Sequence, residues 1–449
     1  MPRFSLLFGC LLWMLASSPA GARPNLVLIM ADDMGFECLS PYGGKSYSTP
    51  NMERMARDGM LFTHCYSQPV CTPSRNKIMT GRRNTRNYRS FGALLPTEPT
   101  FAKVLKAAGY RTAVAGKWQL SDGGGGPLGS TPEQAGFDEH FLWAYEHDMT
   151  PKQWDEYVGA RGSDAKTSRY WHPAILHDGK LVPTGPDDFG PDLYADFLLD
   201  FIERNKDQPF FAYYPMALIH GPFVPTPHSS SIPEEDKHGN KKKYMADMVA
   251  YSDFLVGRIL DKLDQLGLSE NTLVLFTGDN GTTRGIRSQI EGRTVIGAKA
   301  TPVDGGTHVG LLARWKGAIE PGSKNDDLID FSDFLPTLAE AGDAPLPSGV
   351  AFDGRSFLAQ LRGLAGDPRD WLFMDYDKDP DFPPEKKKWP PARFVRTKRY
   401  KLYADGRFFD VPNDWEEQSP ITPGQAGAEG EQTRAMLQAV LDQTPPWKK

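Results

Sequence analysis

Four apolar segments of this chain have the composition of buried β-strands, and polar or charged residues follow each of them at once. The segments and their followers are residues 23–30 before Asp32 and Asp33, 112–115 before Lys117, 209–219 before His220, and 271–277 before Asp279 and Asn280. In open α/β sheets, ligands bind beyond the carboxyl ends of the strands. The repeated pattern therefore predicts one ligand site along a single edge of a sheet.

Helical segments separate these strands, as the alternation of a mostly parallel sheet requires. The predicted helices cover residues 51–60, 100–108, 192–206 and 242–266. In the last of these, apolar residues recur at helical spacing from Met245 to Leu263, which indicates a face packed against the core. The sequence thus predicts an α/β fold in which helices sandwich a mostly parallel sheet.

The chain divides into three predicted parts. Arg3, the apolar run after it and the small residues up to Ala22 are typical of a secretory signal peptide, so residues 1–22 are predicted to be cleaved. A lipoprotein signal ending before Cys10 is the alternative, but its apolar run is too short. Residues 23–342 form the first predicted domain after the signal. Short strand-like segments, two of them joined by a hairpin signal, mark residues 343–449 as a separate C-terminal part.

The most specific short motif runs from Cys71 to Arg75. Pro73 suits the first turn of a helix that Gly81 closes. Cys71 would then lie at a helix N-terminus, where backbone N–H groups and the helix dipole favour negative charge. Arg75 faces the same way one turn later. The motif predicts an anion-binding corner that holds a thiol, although a buried structural cysteine would look the same in this motif alone.

Oxygen-donor side chains stand at two of the strand ends. Asp32, Asp33, Asp279 and Asn280 offer hard ligands, which suit Ca²⁺ or Mg²⁺ and not a metal that prefers thiolates. Either pair alone is common in turns. Two pairs at two strand ends predict a divalent metal site.

Together these motifs resemble those of the type I sulfatases, in the alkaline phosphatase superfamily. The matching residues are 24–33, 71–75, 116–118, 220–222 and 277–281, with Lys299 ahead of Asp304, Gly305 and Gly306. The resemblance runs in order from about residue 23 to the C-terminus. It implies that residues 23–342 are a catalytic α/β domain. It also implies that residues 343–449 form a small antiparallel sheet with a C-terminal helix, over residues 432–441.

The resemblance also implies a mechanism. A maturase would oxidise Cys71 to formylglycine (3-oxoalanine), whose hydrate attacks the sulfur of a sulfate ester with one hydroxyl and later expels sulfate through the other. Ca²⁺, with Mg²⁺ as the alternative, would be held by the modified Cys71 and the four residues Asp32, Asp33, Asp279 and Asn280. Arg75 would stabilise the nucleophile, Lys117 and Lys299 would bind sulfate oxygens, and His220 would protonate the leaving oxygen.

Two positions depart from the family pattern. Gln119 replaces a histidine that usually follows the first lysine by two residues, and His308 stands where an arginine often follows Gly-Gly-Thr. Both are expected to bind substrate. Glutamine does not titrate, so Gln119 cannot be the base that opens the hydrate. His308, His147 and water are the remaining candidates for that base.

Composition limits the partners and the location. The net charge of −6 argues against nucleic acid, and no segment after the signal has the apolar length of a membrane span. The protein is predicted to be secreted or periplasmic. Cys38, Cys65 and Cys71 remain after cleavage, so Cys38 and Cys65 could pair or all three could be reduced.

The substrate is predicted only as a class. Arg82, Arg83, Arg86 and Arg89 could line a path for a polyanion or form a solvated surface. An irregular stretch rich in aromatic residues favours a sulfated carbohydrate over a small aryl sulfate; its members are Trp143, Tyr145, Trp154, Tyr170 and Trp171. A phosphonate or phosphate ester hydrolase of the same superfamily and a non-catalytic sugar-binding relative are the alternative functions.

Overall fold

The computed structural model describes residues 23–121, 129–161, 167–378, 387 and 391–444. The predicted signal peptide, residues 1–22, lies outside these residues. Within them, no helix combines the length and the apolar character that a membrane span needs.

A large sheet forms the centre of the molecule. Its strands are β1 (Asn25–Ala31), β2 (Met60–Tyr66), β3 (Arg111–Lys117), β4 (Glu139–Trp143), β5 (Ile175–His177), β6 (Lys180–Leu181), β7 (Phe210–Pro215), β8 (Thr272–Gly278), β11 (His308–Arg314) and β12 (Ser323–Asp330). A separate hairpin pairs β9 (Arg287–Ile290) with β10 (Arg293–Ile296). In the described residues the large sheet has the order β12-β2-β11-β8-β1-β7-β3-β4-β5-β6.

The four strands predicted from the sequence are neighbours in the middle of this sheet. β8, β1, β7 and β3 run parallel, with Leu28 paired to Tyr213 on one side and Leu275 on the other. Their carboxyl ends therefore meet at one edge. β11 runs antiparallel between β2 and β8, and β5 and β6 are antiparallel at the far edge. The predicted α/β fold with a mostly parallel sheet is confirmed.

Helices cover both faces of the sheet. They are α1 (Pro50–Arg57), α2 (Cys71–Thr80), α3 (Asn84–Asn87), α4 (Phe101–Ala107), α5 (Pro151–Arg161), α6 (Gly190–Arg204), α7 (Glu234–Lys237), α8 (Met245–Gln265), α9 (Asp304–Thr307), α10 (Phe334–Ala341), α11 (Leu358–Leu361) and α12 (Gly427–Gln443). Successive β1 side chains point to opposite faces. Val27 and Ile29 pack in one apolar core, and Leu26 and Leu28 pack in the other.

The prediction for the end of the first helix was wrong. It placed Met60 in a helix over 51–60, but α1 ends at Arg57 and Met60 begins β2. Gly59 marks the change, because a Cβ atom there would lie 2.0 Å from the carbonyl oxygen of Ala313 in β11. The chain can pass so close to its neighbour only where it has no side chain.

A small second sheet follows the large one. β13 (Leu372–Tyr376), β14 (Ala392–Arg396), β15 (Tyr400–Tyr403) and β16 (Phe408–Asp410) form an antiparallel meander. Leu437 and Leu441 of α12 pack against it. The predicted antiparallel sheet plus helix is confirmed, while the boundary at residue 342 stays a prediction.

Of the two cysteine states left open by the sequence, the structure has the reduced one. Cys38, Cys65 and Cys71 are all buried and free. Cys38 lies 3.4 Å from the hydroxyl of Thr282, and Cys65 lies in β2.

Candidate active site

The strand ends bring the predicted oxygen donors into one buried group. Asp32 and Asp33 follow β1, and Asp279 and Asn280 follow the adjacent strand β8. Oδ1 of Asp279 accepts the N–H of Asp33 at 3.0 Å, and the Asn280 amide donates to Oδ1 of Asp33 at 2.9 Å. We call these four residues, with the three cations that contact them, Arg75, Lys117 and Lys299, the strand-end cluster.

Three cations balance the carboxylates of this cluster. Lys117 donates to Oδ2 of Asp32 at 2.7 Å, and Lys299 lies 2.5 Å from Oδ1 of Asp33. Arg75 donates to Oδ2 of Asp279 at 3.0 Å. Burial alone would raise the pKa of each carboxyl group. Burial is the largest single influence on both groups, but Lys117, His220, Arg75 and Lys299 together outweigh it and lower the pKa of Asp32. Lys299, His220 and Lys117 together do the same for Asp33.

Asp279 behaves differently from its neighbours. Burial and the nearby charge of Asp32 raise its pKa to about 7, although Arg75 opposes this. The cations match the carboxylates in number, but the buried carboxylates still repel one another, as the effect of Asp32 on the pKa of Asp279 shows. A divalent cation would relieve this repulsion and would favour the ionised form of Asp279.

Two atoms of the cluster fit such a cation directly. Oδ1 of Asp32 and Oδ1 of Asn280 are buried, and neither has a hydrogen-bond partner in the part of the chain that the structure describes. Ligand atoms of Asp32, Asp33 and His220 also lie within 4.8 Å of one another. Buried oxygens are rarely left unsatisfied without a reason. The donor set, nearly all oxygen, suits Ca²⁺ or Mg²⁺.

Cys71 lies beside this cluster, at the start of α2. Val70 precedes the helix in an extended conformation, and Gly81 ends it with a left-handed φ of 65°. Lys77 of the same helix forms a buried ion pair with Asp330 at 2.6 Å, which fixes α2 against the end of β12. The Cys71 Sγ lies 3.6 Å from Oε1 of Gln119. The predicted helix N-terminus is thus observed with its thiol facing a second predicted site residue.

Five of the eleven predicted site residues line one open pocket of about 510 Å³. Its lining residues are Val70, Cys71, Phe91, Lys117, Gln119, Tyr145, Arg169, His220, Thr283, Arg284, Lys299, Ala300 and Lys378. Burial lowers the pKa of Lys299, but the negative charges of Asp33, Cys71, Asp32 and Asp279 together outweigh it, so the net shift is upward. The pocket is strongly cationic and is shaped to receive an anion.

His220 lines the pocket, and one of its ring nitrogens already has a hydrogen-bond partner. Its Nδ1 lies 2.6 Å from the carbonyl oxygen of Gly221, which requires a proton on Nδ1, and Nε2 lies 3.8 Å from Oδ2 of Asp33. Burial lowers the pKa of His220 to about 4, although Asp33 and Asp32 raise it. A bound sulfate ester would add negative charge beside the ring and so favour its protonation.

The backbone is strained around this pocket. Asp33, Gln119 and Ala300 adopt left-handed φ angles of 62°, 53° and 64°. Side chains other than glycine rarely adopt this conformation, and such strain clusters at functional sites. At Gln119 the unusual backbone directs the amide toward Cys71.

The structure does not bring His308 to the pocket. Its Nδ1 lies 3.0 Å from Oδ2 of Asp304, its Nε2 lies 2.9 Å from the carbonyl oxygen of Thr63, and the ring stacks on Phe36. The expectation that His308 binds substrate is therefore corrected, because both ring nitrogens already have partners elsewhere. His147 does not line this pocket either, since it is exposed beside Tyr145.

His308 belongs instead to a second buried ionic group. Arg396 of β14 pairs with Asp304, while Lys401 of β15 donates to Glu417 at 2.8 Å. We call Asp304, His308, Arg396, Lys401 and Glu417 the junction cluster, because it joins the large sheet to the small one.

Sequence reasoning missed some of the pocket residues. Thr283, which donates to Oδ2 of Asp33 at 2.9 Å, is only three residues beyond Asn280 and could have been found from that motif. Arg169 and Lys378 belong to no short motif, so only the fold reveals them. The predicted basic run does not line the pocket; Arg82 pairs with Glu98, and Arg86 pairs with Asp353.

The fold and the site define a hydrolase of the alkaline phosphatase superfamily. The model of the Sulfatase family matches residues 24–344. The chain is 36% identical to human arylsulfatase A over 88% of this chain and 77% of that protein. It is 31% identical to human N-acetylgalactosamine-6-sulfatase over 77% of this chain and 67% of that protein.

A solved structure agrees with these relatives in fold. The PsFucS1 sulfatase from Pseudoalteromonas sp. superposes with a TM-score of 0.69, at 23% identity, over 94% of this chain and 90% of that one. The chain belongs to the sulfatase family, which confirms the predicted enzyme class, a sulfuric ester hydrolase.

Proposed function

We propose that this sulfatase hydrolyses a sulfated carbohydrate, with formylglycine made from Cys71 as its nucleophile and Ca²⁺ as its metal. One observation carries the proposal: the thiol of Cys71 opens into the same pocket as Lys117, Lys299 and His220, beside the strand-end cluster. An anionic substrate, a modified residue and a divalent cation can meet at this place.

Asp32, Asp33, Asp279 and Asn280 would hold the metal together with the modified Cys71. The unsatisfied oxygens of Asp32 and Asn280 support this assignment. A bound divalent cation supplies Lewis acidity toward the sulfate oxygens and favours the ionised nucleophile. Ca²⁺ is proposed first, with Mg²⁺ as the alternative, because the ligands are hard oxygens.

The protein would hold the nucleophile from two sides. The N-terminus of α2 favours negative charge at residue 71. Arg75, one turn later, is fixed by its bonds to Asp279 and to the carbonyl oxygen of Lys117 at 3.1 Å. A formylglycine-generating maturase would have to act before Cys71 becomes buried, since its side chain is almost inaccessible in the fold.

The remaining lining residues would bind the sulfate group and protonate the leaving oxygen. Lys117 and Lys299 would bind sulfate oxygens, and their charge is already fixed in place by Asp32 and Asp33. His220 would protonate the leaving oxygen from Nε2. Gln119 would donate an amide hydrogen bond. Since neither His308 nor His147 lines the pocket, we propose that water accepts the proton when the hydrate collapses.

The substrate class rests on weaker but independent support. Tyr145 and Phe91 line the pocket and offer aromatic faces, which suit sugar rings. One relative is named as a sulfatase of an amino sugar, N-acetylgalactosamine-6-sulfatase. The proposed location is the cell exterior or periplasm, as the sequence of residues 1–22 indicates.

The test is the substitution Cys71→Ser, compared with Cys65→Ala as a matched loss of a buried thiol outside the pocket. Cys71→Ser should lose turnover by about 10⁴-fold or more and keep its melting temperature. Cys65→Ala should keep turnover per folded molecule. Mass spectrometry of the tryptic peptide that carries Cys71 should show the aldehyde. Many turnovers per site in Cys71→Ser would refute the assignment of formylglycine at residue 71 as the nucleophile.

The same preparation separates the alternative functions. Wild-type protein should hydrolyse a sulfate ester faster than the matching phosphate diester. The reverse preference would identify a phosphate or phosphonate ester hydrolase. An aldehyde-free protein that binds sugar without turnover would be the non-catalytic relative.

A further inference from the structure

Arg169 lies in the wall of the pocket, outside every motif that the sequence offers. Its guanidinium stacks on Trp143, with Cζ 3.9 Å from the ring centroid, and only 13% of its side chain is exposed. Nη1 is 3.8 Å from Oδ2 of Asp32, too far for a hydrogen bond. This buried nitrogen has no hydrogen-bond partner among the described residues. Nη1 of Arg169 is therefore a charged donor at the pocket that makes no hydrogen bond within the part of the chain that the structure describes.

The neighbours of Arg169 keep it in this position. Trp143 ends β4, and Tyr145 packs on the Trp143 ring at 4.0 Å. The hydroxyl of Tyr170, which has one proton to donate, lies within hydrogen-bond distance of two carbonyl oxygens, that of Ala217 at 2.9 Å and that of His220. The segment that carries Arg169 is thus tied to the segment that carries His220. A guanidinium held in this way loses little conformational freedom when it binds an anion.

The surrounding charges indicate which anion Arg169 would meet. Lys117 and Arg169 both approach Oδ2 of Asp32, so an oxyanion bound by Lys117 lies within reach of both. A guanidinium matches the oxygens of a tetrahedral anion through two of its N–H groups. Gln119 brings no charge to this wall, whereas Arg169 brings a guanidinium.

We propose that Arg169 is a sulfate-binding residue, which contacts an oxygen of the scissile sulfate beside Lys117. The inference rests on the proposed function, because it places the scissile group at Lys117. Two competing roles make different predictions for the same variants. In one, Arg169 contacts a second anionic group of the substrate; in the other, it only supports Trp143.

The experiment compares Arg169→Gln and Arg169→Lys with the control Arg434→Gln. Arg434 has similar burial, with 14% of its side chain exposed, and stacks on Phe408 at 4.1 Å in the small sheet. The readouts are the melting temperature, the Kd of inorganic sulfate by calorimetry with Ca²⁺ present, and kcat and KM. Two substrates are used: an aryl sulfate without other charges and the same ester with an added carboxylate.

Arg169→Gln should weaken sulfate binding and lower kcat/KM about 10- to 100-fold, by the same factor on both substrates, as expected for one charge-assisted hydrogen bond. Arg169→Lys should recover part of the loss, and Arg434→Gln should bind sulfate like the wild type. If Arg169→Gln is unstable, Arg169→Met keeps an apolar stem on Trp143 and serves in its place.

Three results would overturn the assignment. An unchanged sulfate Kd with a lowered melting temperature would make Arg169 a structural support. A loss confined to the carboxylate substrate would assign it to a second anion. A wild type that does not bind sulfate would remove the subsite altogether. A wild type that binds sulfate through Arg169 but hydrolyses no sulfate ester would refute the proposed function alone, because the calorimetry needs no turnover.

Discussion

The strand-end cluster and the junction cluster are both buried groups of opposite charges, but only one of them is complete. In the junction cluster, Asp304 is bonded by Arg396 and His308, and Glu417 is bonded by Lys401 and the hydroxyl of Tyr403. In the strand-end cluster, Oδ1 of Asp32 and Oδ1 of Asn280 have no partner among the residues that the structure describes.

The difference separates a structural role from a functional one. A buried polar network that satisfies all of its members stiffens a fold and specifies one arrangement. A buried network with unsatisfied oxygens costs free energy until something binds. The electrostatics differ at one carboxyl group. Burial and Asp32 raise the pKa of Asp279, whereas nearby cations lower the pKa values of Asp304, Asp32 and Asp33 despite burial. The incomplete cluster is therefore the place where a ligand would stabilise the protein.

The largest effect should come from removing metal or a metal ligand. A chelator should abolish turnover, and Ca²⁺ or Mg²⁺ should restore it better than Zn²⁺. Ca²⁺ at about 100 times its Kd should raise the free energy of unfolding by about 3 kcal/mol, measured by thermal denaturation. Asp279→Asn should lose most of this stabilisation, because it removes one anionic ligand.

Asp304→Asn is the matched control for that measurement. It removes a buried carboxylate from the junction cluster, so it should lower the melting temperature yet keep the rise that Ca²⁺ produces. An undiminished Ca²⁺-dependent rise in Asp279→Asn would break the distinction between the two clusters.

An effect on stability alone, without the loss of turnover, should follow when the junction cluster is broken. Arg396→Met leaves Asp304 buried beside His308 alone, which should cost about 3–5 kcal/mol of unfolding free energy in denaturant titrations. Turnover per folded molecule should change little. The control is Arg399→Met, because the exposed pair of Arg399 with Asp410 should contribute less than about 1 kcal/mol. Equal losses in the two variants would show that the junction cluster contributes no more than a surface pair.

The smallest effect is a dependence of stability on pH at His64, which lies 6.1 Å from His308 between ring centroids. Burial, with help from His308 and Arg396, lowers the pKa of His64 to about 4. The unfolded chain takes up this proton near pH 6.5. The stability that neutral His64 contributes is therefore present above pH 6.5 and is lost as the pH falls toward 4, by about 1–3 kcal/mol.

Denaturant titrations of wild type and His64→Gln at pH 7 and pH 5 would measure the stability that neutral His64 contributes. The variant should lose less stability between the two pH values than the wild type does. A wild type and a variant with the same acid sensitivity would show that His64 titrates normally in the folded protein.

Much of the fold could be predicted because the central strands are buried on both faces. β1, β3, β7 and β8 read as continuous apolar runs, which is typical of a parallel sheet under helices. β2 and β11 escaped prediction, and the helix over 51–60 was extended into Met60. These strands depend on pairing with distant segments, and local composition does not report such pairing.

The candidate site divides in the same way. The sequence by itself determined Cys71, Arg75, Lys117, His220, Lys299 and the four oxygen donors, because each belongs to a short motif whose signal is local. Only the tertiary structure decided that Arg169 faces the pocket and that His308 does not. Arg169 comes from an irregular segment between β4 and β5, and its position depends on Trp143 and on the anchor of Tyr170. His308 follows a site motif in the chain, but Asp304 and Thr63 bind its two nitrogens inside the protein. A motif fixes which chemistry a chain can supply, whereas the contacts between distant segments fix which side chains reach the substrate.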